Sequence, residues 1–136
     1  NVGGYIVSPD NCPIFLTYEK EENISTTINY DDHFINPRHI VYMSKNRRTL
    51  SSPDVREIRE HKENKMRIPF FVKKNDDEGL DFYYLGELTA IPEKFADTSM
   101  PGENGGSVSV VKMEFMLDRE VDFRLFKYLT NKVNEN

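Results

Sequence analysis

Basic, hydroxyl and aromatic side chains alternate in two stretches of the sequence, residues 30–52 and 70–84. In proteins that bind nucleic acid, arginine and lysine bind phosphates, and hydroxyl groups fix the position of the protein along the strand. Aromatic rings stack on exposed bases. The candidates for phosphate contact are Lys45, Arg47, Arg48, Lys73 and Lys74. The candidates to line a base pocket or stacking surface are Tyr30, Phe34, Tyr42, Ser44 and Tyr84. Most other phenylalanines and tyrosines are expected to lie in the core.

The distribution of charge favours a polyanionic partner, although the chain as a whole is acidic. The formal net charge is −5 and the pI is near 5.2. Between Arg38 and Lys74, however, there are 11 basic and 4 acidic residues, so this window has a formal net charge of +7. A polyanion responds to the local potential of one face, so such a window can bind phosphates. The alternative interpretation is a solvated charged helix beside basic loop ends.

Arrangements that could catalyse a reaction or bind a metal are weaker. Asp54 and the run 60–62 (EHK) superficially resemble a nuclease site. Such sites bring carboxylates together from adjacent strands, whereas these residues fall on or beside one short predicted helix, so we interpret them as a solvated face. His33 and His39 lack a cluster of matching ligands. We therefore predict no catalytic residues, no metal and no cofactor for this domain.

Length and composition indicate a folded cytoplasmic protein. The chain has 136 residues, of which 38% are hydrophobic and 12% aromatic, enough to form one core. No apolar run approaches the roughly 18 residues of a membrane span, and no signal peptide opens the chain, so no membrane partner is expected. The lone Cys12 excludes an internal disulfide framework and a zinc ribbon, which favours a reducing compartment. The first residue is Asn rather than Met, so we expect a fragment of a longer protein.

The hydrophobic pattern predicts a mainly β domain of the α+β class. Short apolar or alternating runs predict strands at residues 14–18, 25–30, 40–44, 68–72 and 82–91. The last two form a hairpin through the polar turn 75–79. Another alternating run, from Val108 to Leu117, shifts by one residue between Val110 and Val111, which predicts a strand with a β-bulge at that point. We expect a curved sheet of five to seven strands that closes into a small barrel.

Two helices and one loop complete the predicted domain. Ser52 and Pro53 are typical of a helix start, so we predict a short helix from Pro53 to His61. Residues 119–133 have the apolar stripe of an amphipathic helix, and the glycines and proline within 97–106 predict a flexible loop. We expect a single domain over residues 1–136, with its core at about 9–117.

Two segments resemble a known family. They are residues 25–52, STTINYDDHFINPRHIVYMSKNRRTLSS, and residues 68–88, IPFFVKKNDDEGLDFYYLGEL. From about residue 9 to 117 the chain resembles the C-terminal domain of unknown function of bacterial superfamily II helicases of the DEAD/DEAH type. These helicases serve restriction and phage defence and often carry a phospholipase-D-like nuclease domain. The most specific matching positions are Tyr30, Asp31, Phe34, Asn36, Ser44, Lys45, Arg48, Thr49, Phe71, Val72, Lys73, Tyr83, Tyr84, Leu85 and Gly86.

The resemblance implies a fold similar to small barrels of the PUA and SRA type, which read DNA in restriction systems and in some cases take up a modified base. It carries no catalytic residue. Together with the basic window, it predicts a non-catalytic DNA-recognition module of a restriction or defence helicase, with DNA and the helicase core as partners. The alternative is an intramolecular docking module that regulates the helicase through its C-terminal helix and acidic surface, without contacting DNA.

Overall fold

The computed structural model describes residues 4–19, 32–75, 81–102 and 104–130. Within these ranges the chain forms a mixed, mainly β structure with a few short helices. The strands are β1 (Gly4–Tyr5), β2 (Ile14–Glu19), β3 (His33–Asn36), β4 (His39–Met43), β5 (Pro69–Asn75), β6 (Tyr83–Ala90), β7 (Ala96–Pro101) and β8 (Ser107–Leu117). The helices are α1 (Pro53–Arg59), α2 (His61–Asn64) and α3 (Phe123–Thr130), with a 3-10 turn at Pro92–Lys94.

The eight strands form one sheet in the order β1-β2-β5-β6-β8-β4-β3, with β7 paired to β8 beside this path. Strands β2 and β5 run parallel, and the other pairs are antiparallel. Strand β8 has three partners. Its residues 112–116 pair with β4 on one edge, while its other edge pairs with β6 at residues 115–117 and with β7 at residues 107–112.

The expected barrel of the PUA and SRA type is wrong, because the sheet is open. Closure requires the two end strands to pair with a consistent stagger. Here the end strands are the two-residue β1 and the four-residue β3, which lie at opposite ends of the pairing order. Helix α3 packs against β2 and β5 instead and covers their inner face with Leu129 and Phe126. An eight-stranded open sheet therefore replaces the predicted barrel.

Most predicted strands are confirmed with small changes at their ends. The predictions at 14–18, 40–44, 68–72 and 82–91 correspond to β2, β4, β5 and β6. The strand predicted at 25–30 lies outside the described residues. Strand β3 was missed because Phe34 is its single buried residue, which gives no clear alternation. The helix predicted from Pro53 is confirmed as α1, which ends at Arg59.

The β-bulge predicted between Val110 and Val111 is wrong. Strand β8 pairs with β7 and with β4 without a shift in register. Both valines are fully buried because β8 is covered on both faces. Val111 belongs to the main core, whereas Val110 packs in a smaller cluster with Val41, Met43 and Met100. Two consecutive buried residues can therefore arise from a doubly covered strand as well as from a bulge.

The flexible loop predicted at 97–106 is also wrong over its first half. Residues 96–101 form β7, whose six residues each pair with one residue of β8. The side chains of β7 are mostly exposed, so burial gave no signal in the sequence. Only the remaining segment turns the chain, where Gly105 has φ +85° and the amide of Gly102 donates to the carbonyl of Gly106.

Helix α3 is shorter than the predicted 119–133, and residues 131–133 lie outside the described ranges. The helix begins after Asp122, whose carboxylate accepts hydrogen bonds from the amides of Arg124 and Leu125. Such a side chain satisfies amides that have no partner within the first helical turn. Among the described residues, no helix is both long and apolar enough to cross a membrane.

Candidate nucleic-acid interface

The basic loop, residues 44–48, follows β4 and remains attached to the edge of β8. The amide of Ser44 donates to the carbonyl of Val111 at 2.9 Å, and the amide of Val111 donates to Ser44 Oγ at 2.8 Å. The amides of Arg47 and Arg48 both donate to the carbonyl of Ser109, at 2.8 and 3.2 Å. The loop backbone therefore has a defined path, which fixes the points from which its side chains project.

Lys45 and Arg47 carry the exposed charges of this loop. The amide of Lys45 donates to Tyr5 Oη at 3.0 Å, and its ammonium lies 4.8 Å from the centre of the Tyr5 ring. Arg47 has φ +61°, the left-handed conformation that glycine adopts most easily. Both cations thus reach solvent from a backbone that the strand edge and Tyr5 hold in place.

Arg48 has a different environment from Arg47. Its Nε donates to both carboxylate oxygens of Asp54, at 3.0 and 2.9 Å, and its Nη1 donates to the carbonyl of Asn46 at 3.1 Å. Tyr5 Oη donates to the same carboxylate at 2.7 Å. Arg48 therefore joins the basic loop to the start of α1. We assign it a structural role and remove it from the set of candidate phosphate contacts.

The charge of Asp54 is stabilised by this network. Burial is the largest single influence and would raise the pKa of Asp54. Hydrogen bonds from Tyr5 and Arg48, with the positive charge of Arg48, act in the opposite direction and hold the pKa of the carboxyl below its usual value. Burial raises the pKa of the Tyr5 hydroxyl, which therefore donates as a neutral phenol. Tyr5, Arg48 and Asp54 form a hydrogen-bonded brace that joins the loop to α1.

Three of the predicted pocket residues are buried and make contacts inside the protein. Phe34 is in the core, where its ring meets those of Tyr18, Phe70 and Phe126. Tyr42 is buried and its hydroxyl donates to the carbonyl of Phe15 at 2.6 Å. Ser44 is buried and fastens the basic loop to β8. Tyr30 lies outside the described residues.

Lys73 and Lys74 do not join the basic loop. They lie on β5 and are 2% and 6% exposed. The ammonium of Lys74 donates to the carbonyl of Tyr128 at 2.7 Å, and that of Lys73 lies 5.1 Å from the centre of the Phe82 ring. These internal contacts connect β5 to α3 and to the start of β6. Both lysines are thus unsuited to the predicted phosphate contact.

Tyr84 is the one predicted pocket residue that is described and well exposed, at 52%. It lies on β6, and its hydroxyl donates to Glu87 Oε2 at 2.8 Å. This hydrogen bond is the main cause of a raised pKa of Tyr84. The structure therefore separates the two predicted kinds of contact. The basic loop is attached to residues 109–111 of β8, whereas Tyr84 lies on β6, which pairs with β8 only at residues 115–117.

The interpretation of residues 60–62 as a solvated face is wrong for His61, which is 5% exposed. Its Nε2 accepts from the amide of Ala90 at 3.0 Å, so its Nδ1 carries the hydrogen that is donated to the carbonyl of Met66 at 2.9 Å. His61 thus ties α2 to β6. Within the described ranges, no three His, Cys, Asp or Glu side chains are arranged to hold a metal ion.

Sequence reasoning missed the residues that position the basic loop. Tyr5 lies 49 positions before Asp54, and Ser109 lies more than 60 positions after the loop, so no local pattern connects them. Pairing between distant segments leaves no signal in a single sequence of this kind. Repeated covariation of Tyr5 with Asp54 among homologous chains would be the signal to seek.

Comparison with curated proteins finds no match. A family model described as "Domain of unknown function (DUF3427)" matches residues 1–129, which include the basic loop, its brace and every described strand. The matched region spans nearly the whole chain. The chain therefore belongs to the domain-of-unknown-function family DUF3427.

Proposed function

We propose that this domain is a non-catalytic DNA-binding module that contacts the phosphate backbone through Lys45 and Arg47. The observation that carries the proposal is the combination of an anchored backbone with exposed cationic side chains. Three amides of the loop donate to carbonyls of β8, while Lys45 and Arg47 remain exposed. Loops held at the ends of strands commonly carry binding residues, and arginine and lysine are suited to phosphate.

The conformation of Arg47 adds a second argument. A non-glycine residue in the left-handed region costs on the order of 1 kcal/mol, and glycine would avoid that cost. Arg47 adopts φ +61° and its backbone amide is already used in the attachment to β8. The side chain gives no benefit to the core, because it is exposed. A cation at a position that favours glycine is consistent with a functional use of its charge.

The proposed contact is with the backbone of the nucleic acid rather than with a base in the predicted pocket. Phe34 and Tyr42 are buried in the core, so neither can receive an extruded base at the loop. Contacts to phosphates carry little sequence information and position a protein on the duplex. In a helicase of the type that the sequence resembles, such a module would hold the substrate beside the core without reading its sequence at this loop.

The test compares two glycine substitutions that remove one positive charge and relieve one left-handed residue each. Among the described residues, Lys65 is the other non-glycine residue with positive φ, at +59°, and it is exposed at the end of α2. We expect Arg47→Gly to weaken binding to a short labelled duplex about three- to tenfold at low salt, measured by fluorescence anisotropy. Lys65→Gly should leave the affinity within about twofold.

Equal effects of the two substitutions would mean that general charge, and not the basic loop, determines binding. Undetectable binding of the unmodified domain to any DNA at low salt would reject the proposal. In that case the docking alternative would be favoured by the exposed aromatic side chains of α3. Phe123 and Tyr128 are both exposed, and Tyr128 meets the ring of Tyr83 on β6.

A further inference from the structure

Three aromatic side chains form a row across neighbouring strands on the face of the sheet opposite to α3. This aromatic row consists of Phe15 on β2, Phe71 on β5 and Tyr84 on β6. Phe15 pairs directly with Phe71, and Phe71 pairs with Tyr84, so the three side chains share one face. The ring centres of Phe15 and Phe71 are 5.0 Å apart, and those of Phe71 and Tyr84 are 5.4 Å apart.

A shift in the register between β5 and β6 places polar side chains beside Tyr84, at one end of the aromatic row. The pairing between the strands changes between Phe70 and Phe71, at which point Gly86 adopts φ +129°. Simple alternation would place Tyr84 and Glu87 on opposite faces, but the irregularity brings both to the same face. The hydroxyl of Tyr84 consequently reaches Glu87, and Arg67 Nη2 lies 2.7 Å from the same carboxylate.

Tyr84 is held in position by contacts at its ring and at its hydroxyl. Its ring is packed against Phe71 at an angle of 44°, and its hydroxyl is fixed by Glu87. More than half of the residue is nevertheless exposed. The guanidinium of Arg67 is a neighbour of this pair, and its side chain is 69% exposed. A flat ring beside an exposed guanidinium complements a base and the phosphate next to it.

We propose that the Tyr84 end of the aromatic row stacks on an unpaired base of single-stranded nucleic acid while Arg67 contacts the adjoining phosphate. This inference rests on the proposed function and adds a second contact that distinguishes single strands from duplexes. Bases inside a duplex are stacked on each other and cannot present a face to Tyr84. The basic loop would hold either form of nucleic acid, whereas the aromatic row would engage only unpaired bases.

Charge alone does not explain binding at the aromatic row. Arg67 is balanced by Glu87, and Arg119 is balanced by Asp118, whose carboxylate accepts from the amide of Glu87. Stacking must therefore supply the affinity, and it tolerates every base because each has a flat face. A protein partner would instead depend on a contiguous apolar area. Phe15 and Phe71 are already half-buried against each other and against Phe82, which leaves Tyr84 as the open ring.

The experiment measures binding to a 12-nucleotide thymidine strand and to a duplex of equal length. Tyr84→Ala should weaken single-strand binding about five- to tenfold and leave duplex binding within twofold. Tyr84→Phe keeps the ring and should retain single-strand affinity within about twofold. Tyr83→Ala is the matched control, because Tyr83 is 42% exposed on the same strand but pairs with Val72 on the opposite face. Urea unfolding of each variant checks that folding is preserved.

Tyrosine fluorescence provides a readout that a structural role would not change. The chain contains no tryptophan and 7 tyrosines, so its emission comes from tyrosine. A base stacked on Tyr84 should quench part of that emission on single-strand binding. The quench should disappear in Tyr84→Phe while affinity is kept.

Single-strand affinity unchanged in Tyr84→Ala would overturn the inference, and so would an equal loss for duplex. If Tyr84 proves irrelevant while Arg47→Gly weakens both forms, the proposed function stands and the aromatic row is not a base site. If neither single strand nor duplex binds the unmodified domain, both proposals fail.

Discussion

The Nε of Arg48 lies 3.0 and 2.9 Å from the two carboxylate oxygens of Asp54, so a single side chain of the basic loop is joined to the first turn of α1. Arg47, the preceding residue, is exposed and has no such partner in its contacts to the described residues. The two adjacent arginines therefore have different roles. Arg48 maintains the shape of the loop, and Arg47 is available for a ligand.

This difference predicts that the two arginines differ in how much their substitution changes stability. Arg48→Ala should lower the free energy of unfolding by roughly 1–2 kcal/mol, because a half-buried, charge-assisted hydrogen bond is lost and Asp54 keeps its burial. Arg47→Gly should leave the free energy unchanged or raise it slightly, because glycine accepts φ +61°. Urea unfolding at neutral pH measures both values. Equal destabilisation by the two changes would contradict the assignment.

The lowered pKa of Asp54 predicts how the brace responds to acid. A carboxyl whose pKa is lower in the folded than in the unfolded state stabilises the fold above its unfolded pKa, about 4. That stabilisation disappears as the pH falls through the lower folded pKa. The difference in unfolding free energy between the unmodified domain and Asp54→Asn should thus be largest near pH 6–7 and shrink below about pH 4. If this difference in unfolding free energy increased as the pH fell, the pKa of Asp54 would not be lowered in the folded state.

Salt should weaken DNA binding by an amount that reflects the number of phosphate contacts. Each neutralised phosphate on a duplex contributes about −0.9 to the slope of log affinity against log salt. Contacts from Lys45 and Arg47 would give a slope of roughly −1.8, or about a tenfold loss between 50 and 200 mM salt. Arg47→Gly should reduce the slope by about half. Affinity that does not depend on salt would remove the electrostatic basis of the proposed function.

Replacement of Gly86 by a residue with a side chain should destabilise the fold. It has φ +129°, and a Cβ there would overlap with Asp118 Oδ1, which already accepts from the amide of Glu87. Gly86→Ala should therefore lower the free energy of unfolding by roughly 2–4 kcal/mol. Gly106→Ala is the control, because its Cβ would meet nothing within 4 Å. A thermal melt of both variants provides the comparison, and a loss at Gly86 no greater than at Gly106 would refute the prediction.

The strands that the sequence revealed are those whose signal is local. Ile14 and Leu16 are buried on either side of the half-buried Phe15 in β2. The polar run 75–79, most of which lies outside the described residues, was enough to predict the antiparallel pairing of β5 with β6. Strand β7 was not predicted, because it is held by backbone pairing with β8 and not by buried side chains. The irregularity in β6 was not predicted either, since its neighbours Gly86 and Asp118 are 32 positions apart in the sequence.

The residues of the candidate site could likewise be predicted only where the signal in the sequence is local. Lys45 and Arg47 follow an apolar strand in a run that no core requires, and the structure exposes both. Lys73 and Lys74 carry the same charge and were grouped with them. Their burial depends on Phe82 and on Tyr128, which become neighbours only through the fold. Residue type predicts affinity for phosphate, but long-range packing determines which cations can reach it.

The position of β8 has a consequence for synthesis of the chain. Strand β8 is the last strand among the described residues, yet it joins β6 and β7 on one edge to β4 on the other. Until residue 117 has left the ribosome, β4 and its hairpin partner β3 have no strand that connects them to β5 and β6. Premature termination before β8 would therefore leave two unconnected groups of strands, β1-β2-β5-β6 and β3-β4, and the unpaired segment of β7. Unpaired strand edges favour aggregation. Addition of β8 covers these edges and thereby reduces association with other chains.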